Sequence, residues 1–209
     1  MIDLTLALAE RAARAAQARA QAQQKAEDEH GHYYVPLREV DLEFKDFSFP
    51  GADGGRLTLR EAAKGKKLIL VHYFAAWCHN SNFDVTTVNQ LYSKYRDQGL
   101  QVVGICEYSR PEELREFIER HHPDYPICVE GEERKKDRTG TTHYAYRKQV
   151  DDQRLWGTPL NIIIFAEDLL ADGEVAARRV RVAPGEMVKT EIEELIQERL
   201  SKKSGDGVK

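Results

Sequence analysis

Large apolar residues open the chain at Ile2, Leu4, Leu6 and Leu8, and then give way to alanine. From residue 3 to about residue 29 the sequence is rich in Ala, Gln, Arg and Glu and lacks Gly and Pro. These are strong helix formers, so the stretch predicts a helical arm. Its alanines bury little surface, which leaves two expectations: a solvated or loosely docked arm, or a helix that packs on a second copy in a homodimer. Asp28 to His32 breaks the pattern and Pro36 closes the arm, so the main domain is expected from near Val40. Phe44, Phe47 and Phe49 alternate with polar residues as a strand does, Pro50 to Gly55 is a turn cluster, and Arg56 to Leu59 reads as the return strand of a hairpin. Leu68 to Phe74, Leu100 to Cys106 and Asn161 to Phe165 are apolar enough for strands buried on both faces.

Helical spacing fills the intervals. Ser81 to Gln98 carries Phe83, Val88, Leu91 and Tyr95 and stops at Gly99. Pro111 to His121 is expected as a helix with Ser109 as its cap and Pro111 in its first turn. Tyr125 to Val129 predicts a short strand, 131–138 a charged connection, and Thr142 to Val150 a helix. Glu174 to Val182 is a further strand. Glu186 to Leu200 is a C-terminal helix with Ile192, Leu195, Ile196 and Leu200 on one face, and the tail from Ser201 frays. Helices and strands alternate between a hairpin and a last strand, which predicts an α/β sandwich around a mixed sheet.

Composition narrows the function classes. Across 209 residues, 41% are hydrophobic and 32% charged, enough for a real core. Thirty-one basic against 35 acidic residues give a net charge of -4, which speaks against a nucleic-acid partner. No apolar run approaches the roughly 20 residues of a membrane span. The N-terminus has no basic region before its short apolar stretch and does not read as a signal peptide, which leaves a cytoplasmic chain or one whose leader was removed. Three cysteines are too few for a disulfide scaffold, and none forms C-x-x-C. The seven histidines show no metal-ligand spacing, and there is no Gly-rich phosphate loop or G-x-S-x-G element. Neither a metal nor another cofactor is expected. His72, in the central strand, is expected as a core histidine with a hydrogen-bond partner.

Chemistry concentrates at Trp77-Cys78-His79-Asn80-Ser81, directly after a buried strand and leading into a helix. A cysteine at a helix N-terminus meets unpaired N–H groups and the positive end of the dipole, which favour a thiolate; His79 adds positive charge when protonated. Against this stands the plain expectation for a free cysteine, a small buried core residue. Trp156-Gly157-Thr158-Pro159 precedes another buried strand. A proline there suits a cis peptide bond, although the residues alone favour an ordinary trans proline.

Lys66 to Cys78 resembles the active-site strand of thioredoxin-fold proteins, and most closely the redoxin and TlpA-like thiol-disulfide oxidoreductases allied to the AhpC/TSA family. Phe44 to Gly65 resembles that group's N-terminal hairpin, Val102 to Cys106 its second central strand, and Gly157-Thr158-Pro159 its Gly-x-Pro segment. The likeness covers about residues 40 to 200, leaving residues 1–36 as the added arm. It implies a thioredoxin-like three-layer sandwich, a nucleophilic Cys78 flanked by Trp77 and His79, and a cis Pro159 facing it. It also implies a Thr158 backbone that pairs with an extended substrate.

One departure matters. The family pattern is Trp-Cys-x-x-Cys, and here the resolving position holds Ser81. Exchange needs a thiolate attack and then a second thiol to release the mixed disulfide, which serine cannot supply. The expectation is therefore monothiol exchange on protein or small thiols and disulfides, with a non-catalytic binding module as the alternative. A peroxidase is the third reading. Relatives of that kind have Thr or Ser three residues before the cysteine and Pro four before that; here these are Ala75 and Val71, so the peroxide-orienting hydroxyl is missing. Cys106 is a candidate resolver on a neighbouring strand, with core packing the competing expectation, and a Cys106–Cys128 pair is a further option.

Overall fold

A computed structural model describes residues 32, 34–132, 134 and 138–201. The arm expected over residues 3–29, any homodimer made through it, and the tail from residue 202 lie outside the described residues. The elements run β1 (Tyr34–Val35), β2 (Arg38–Lys45), β3 (Ser48–Pro50), β4 (Arg56–Thr58), α1 (Leu59–Ala63), β5 (Leu68–Phe74), α2 (His79–Tyr95) and β6 (Leu100–Cys106). They continue with α3 (Pro111–His121), β7 (Ile127–Val129), α4 (Thr142–Gln149), β8 (Leu160–Phe165), β9 (Val175–Ala183), β10 (Glu186–Met187) and α5 (Lys189–Ser201).

Six strands form the central sheet in the order β2-β9-β8-β5-β6-β7. β5, β6 and β7 run parallel, while β8 is antiparallel to β5 and β9, and β9 to β2. Because side chains alternate across a strand, β5 and β6 feed two cores. Leu70, Phe74, Val102 and Cys106 pack beneath α2, α3 and α5 through Val85, Val88, Phe117, Ile192 and Ile196. Ile69, Val71, Tyr73, Val103 and Ile105 face Phe44, Leu59, Tyr146 and Cys128 on the other side. Every residue of β5, β6 and β8 is buried, which is why these strands read as largely apolar runs, each with a single polar residue at His72, Gln101 or Asn161. Gly99 ends the helix before β6 at φ 116°, a left-handed stop that glycine takes without strain. Among the described residues no helix is long and apolar enough to cross a membrane.

Several boundaries differ from the sequence expectation. The fold begins before Val40: β1 pairs in parallel with β10, and β2 joins the sheet edge against β9. The strand expected through Phe44, Phe47 and Phe49 is two strands, β2 in the central sheet and β3 in a hairpin with β4. The return strand stops at Thr58, whose hydroxyl accepts from the Glu61 amide at 3.2 Å and caps α1. Arg110, not Ser109, caps α3; its amide donates to the Glu113 carboxylate at 2.9 Å. The C-terminal helix starts at Lys189, because Glu186 and Met187 are committed to β10.

Asp84 and Asn161 fasten β10 to the sheet. The Asn161 amide donates to Asp84 Oδ2 at 2.8 Å and to the Gly185 carbonyl at 3.0 Å, and Asp84 Oδ1 accepts the Met187 amide at 2.9 Å. Asn161 Oδ1 accepts from His72 Nδ1 at 2.8 Å, so His72 is a core histidine with a partner. Burial pushes the His72 pKa down and the Asp84 pKa up.

Candidate active site

Cys78 stands where β5 has ended and α2 begins, as the N-cap residue of α2. The intervening loop is held from several sides. The Cys78 amide donates to the Ala75 carbonyl at 2.9 Å, and the Glu107 amide to the Phe74 carbonyl at 2.8 Å. Ser109 Oγ accepts from the Ala76 amide and donates to the Glu107 carbonyl, both at 2.9 Å. Asn82, one turn into α2, donates to the carbonyls of Ala76 and Cys78 at 2.8 Å each. Its own oxygen accepts from His121 Nε2 at 2.8 Å and from Arg120 at 3.2 Å.

Facing Cys78 is the segment before β8. The Thr158–Pro159 bond is cis. The half-buried Cys78 thiol donates to the Thr158 carbonyl at 3.4 Å. Arg154 ties the segment down, donating to the carbonyls of Gly157 at 2.9 Å, Pro159 at 3.1 Å and Thr158 at 3.5 Å. Asp152 in turn binds Arg154 at 2.8 Å and the buried Arg147 at 3.0 Å. Burial alone raises the Asp152 pKa, but the hydrogen bonds and charge of Arg154, helped by Arg147, hold it below the ordinary carboxylate value. His143 Nε2 donates to the Gly157 carbonyl at 3.2 Å, a bond that requires the proton on that nitrogen. Burial, reinforced by Arg147, pushes the His143 pKa down to about 3, so the ring is neutral.

Aromatic and basic side chains rim the gap. Trp77 meets Trp156 edge to face at 5.5 Å. The Arg134 guanidinium lies 4.6 Å from the centre of the Trp77 ring, and that of Arg138 lies 5.5 Å from the Trp156 ring. Leu155, beside Trp156, is 58% exposed. On the other flank His79 is exposed and stacks on His32 at 5.3 Å. His32 stacks in turn on Phe83 and bonds Glu186 at 3.2 Å.

The structure therefore brings Cys78, Trp77, Thr158 and Pro159 together. His79 is at the rim and turns toward His32. Ser81 is fully buried in the first turn of α2, its hydroxyl accepting from the Ala75 amide at 3.3 Å. Cys106 is fully buried, and burial pushes its pKa up to about 12, so at neutral pH it is a protonated thiol. A Cys106–Cys128 pair is excluded by register: Cys128 stands opposite Ile105, and Cys106 points to the other face of the sheet. All three cysteines are free. Sequence reasoning misses Asn82, Tyr108, His143, Arg147, Asp152 and Arg154. Most act through partners distant in sequence or through backbone carbonyls, and Asp152 through the side chains of its near neighbours Arg147 and Arg154, none of which leaves a motif.

Behind the cysteine loop lies a buried acid. The Glu107 carboxyl is fully buried against Glu130, with no donor for either oxygen. Burial, and then Glu130, raise its pKa well above the usual carboxylate value. A proton on Glu107 resolves the contact by donating to Glu130, which also accepts from the Thr142 hydroxyl at 2.8 Å. In the unfolded chain the same carboxyl ionises near its ordinary value of 4.5. Folding stability is thus lost as pH rises above that value toward the raised folded pKa. Glu107→Gln is expected to raise Tm relative to the wild type by roughly 2–4 °C at pH 8, the effect of about 1 kcal/mol in a chain of this size. The gain should shrink toward pH 4, as differential scanning fluorimetry across pH will show; a gain independent of pH would contradict the protonated pair.

Comparison with known proteins agrees with this architecture. A model of the AhpC/TSA family matches residues 40–156. The thiol-disulfide oxidoreductase ResA of Bacillus thuringiensis is 21% identical over 92 residues, 44% of this chain and 52% of that protein. ResA of Bacillus anthracis is 20% identical over the same length. The chain thus spans about half the length of these curated relatives. Among solved structures, a thiol:disulfide interchange protein of the thioredoxin family from Chlorobium tepidum superimposes with a TM-score of 0.55 at 18% identity, covering 78% of this chain and 98% of that one. A thiol:disulfide interchange protein from a Bacteroides species gives 0.55 at 14% identity, covering 79% and 93%. The family match spans more than half of the chain and falls on β5, β6 and β7 of the sheet, most of β2, the cysteine loop and the segment that leads to the facing proline: the protein belongs to the AhpC/TSA family and has a thioredoxin-like fold.

Proposed function

We propose that the protein performs thiol-disulfide exchange through a single cysteine, Cys78, on protein or small-molecule disulfides. The observation that carries this reading is the half-buried Cys78 thiol at the start of α2, 3.4 Å from the Thr158 carbonyl. Negative charge on that sulfur meets the first-turn amides of α2, which have no side-chain cap and no acidic neighbour in the first turn. In the reaction, the Cys78 thiolate attacks one sulfur of the substrate disulfide. A new disulfide forms to Cys78, and the other substrate sulfur leaves as a thiolate. With Ser81 at the resolving position and Cys106 protonated in the core, an external thiolate must attack next. It takes the substrate sulfur and frees Cys78, so the two steps exchange partners without net oxidation. The Thr158 backbone beside Cys78 suits an extended substrate, and Trp77, Trp156 and Leu155 offer it apolar contact.

Turnover should therefore depend on a monothiol such as glutathione. With a peptide disulfide as substrate and glutathione supplied, the wild type is expected to turn over, whereas Cys78→Ser should match the uncatalysed rate. If the wild type gives no more exchange than Cys78→Ser at any glutathione concentration, the fold serves as a binding module instead.

A further inference from the structure

Tyr108 stands two residues beyond β6 and touches both sides of the site without reaching the reacting sulfur. Its backbone is left-handed at φ 54°, rare for an aromatic residue, and its side chain is fully buried. Strain of this kind persists only where the surroundings over-determine it. Its carbonyl accepts from Trp77 Nε1 at 2.8 Å, so the main chain holds the cysteine side. Its hydroxyl lies 2.9 Å from His143 Nδ1. Because His143 Nε2 must donate to the Gly157 carbonyl, Nδ1 is an acceptor, and at 2.9 Å it takes the Tyr108 proton in preference to the Arg138 carbonyl at 3.4 Å. Thr141 Oγ, which accepts from the Tyr144 amide, sits 3.1 Å from the Tyr108 hydroxyl and is placed to donate to it. The Tyr108 ring also packs on Trp156 at 5.4 Å. The flanking residues reinforce the pattern, since the Glu107 amide and the Ser109 hydroxyl bind the loop between Phe74 and Cys78.

We propose that Tyr108 is a positioning residue that sets the gap between Cys78 and the Thr158 edge, through Trp77 on one side and the His143–Gly157 relay on the other. The inference rests on the exchange reading above and names what determines selectivity there. An extended peptide disulfide must pair with the Thr158 backbone while its sulfur meets Cys78, so it needs the gap held. A reagent that needs only the thiol does not. Tyr108→Phe keeps the ring and removes the hydroxyl, leaving His143 Nδ1 buried without its donor.

The test measures mixed-disulfide formation at Cys78 with a peptide disulfide and with hydroxyethyl disulfide, and alkylation by iodoacetamide. Tyr108→Phe is expected to slow the peptide reaction by about fivefold, the effect of one lost buried hydrogen bond, and to change the two small reagents far less. His143→Leu should reproduce this selectivity, and the double variant should be no slower than either single variant, because both break one relay. Equal loss with all three reagents, no loss with the peptide, or additive losses would overturn the proposal. If the wild type forms no adduct with either disulfide, the exchange reading fails. The positioning role is then tested by acrylamide quenching, since the chain's two tryptophans, Trp77 and Trp156, are both in contact with Tyr108. A larger quenching constant in Tyr108→Phe supports the role, and superimposable quenching refutes it.

Discussion

Ser81→Cys is expected to convert a site that holds its mixed disulfide into one that releases it. Ser81 lies three residues beyond Cys78, in the first turn of the same helix, where a thiol comes within reach of the cysteine that caps the turn. The introduced thiolate can attack the Cys78 mixed disulfide, close an internal disulfide to Cys78 and expel the substrate as a thiol. Dithiothreitol then resets the site. Insulin reduction with dithiothreitol should rise at least about tenfold over the wild type, because an intramolecular attack replaces a bimolecular one. The Ala75 amide loses its hydroxyl acceptor in this fully buried position, so stability should fall by about 1 kcal/mol. An adduct as long-lived as in the wild type would show that position 81 cannot approach the Cys78 sulfur.

Gly157→Ala is expected to have the largest structural effect of any single methyl group near the site. Gly157 has φ 68°, and a Cβ there would overlap the Arg147 guanidinium at Nε and Cζ. The guanidinium must leave, which breaks its buried ion pair with Asp152 at 3.0 Å and leaves Arg154 as the remaining arginine on that carboxylate. Breaking a buried pair by displacing one member costs about 3–5 kcal/mol. The corresponding loss in Tm is roughly 10 °C, measurable by calorimetry. The Thr158 carbonyl shifts with its neighbour, so adduct formation at Cys78 with a peptide disulfide should fall as well. Adding Arg147→Ala to Gly157→Ala should lower Tm little further, since the pair is already broken. A Tm within about 2 °C of the wild type would mean that Arg147 moves aside without consequence.

Sequence patterning exposes the parts of this fold that are buried on both faces. β5, β6 and β8 are largely apolar runs, and Gly99 and Pro111 mark helix limits through backbone chemistry that any fold obeys. The domain's beginning is harder to read. β1 is two residues long and exists because Tyr34 and Val35 meet Glu186 and Met187, a pairing between distant parts of the chain that no local pattern announces. The same pairing removes Glu186 and Met187 from the expected helix. Thr58 and Glu61 form a local capping signature at the start of α1 that local reading could have found. At the site, Cys78 and the Thr158–Pro159 step stand out by residue type and position. Ser109 sits where a helix cap is expected, yet its hydroxyl serves the cysteine loop. Arg154 belongs to no motif in the sequence, yet it holds three consecutive carbonyls opposite Cys78. Tyr108 and His143 matter through each other, and only the folded chain sets them 2.9 Å apart.

The most direct test of the central claim is intact-mass spectrometry of the protein after exposure to glutathione disulfide, followed by removal of the reagent. One glutathione per chain is expected, mapped to Cys78 by peptide digestion, absent in Cys78→Ala and unchanged in Cys106→Ala. It should persist until an external thiol is added. An unmodified chain, or a chain that loses its glutathione spontaneously to an internal Cys78–Cys106 disulfide, would contradict a monothiol site at Cys78.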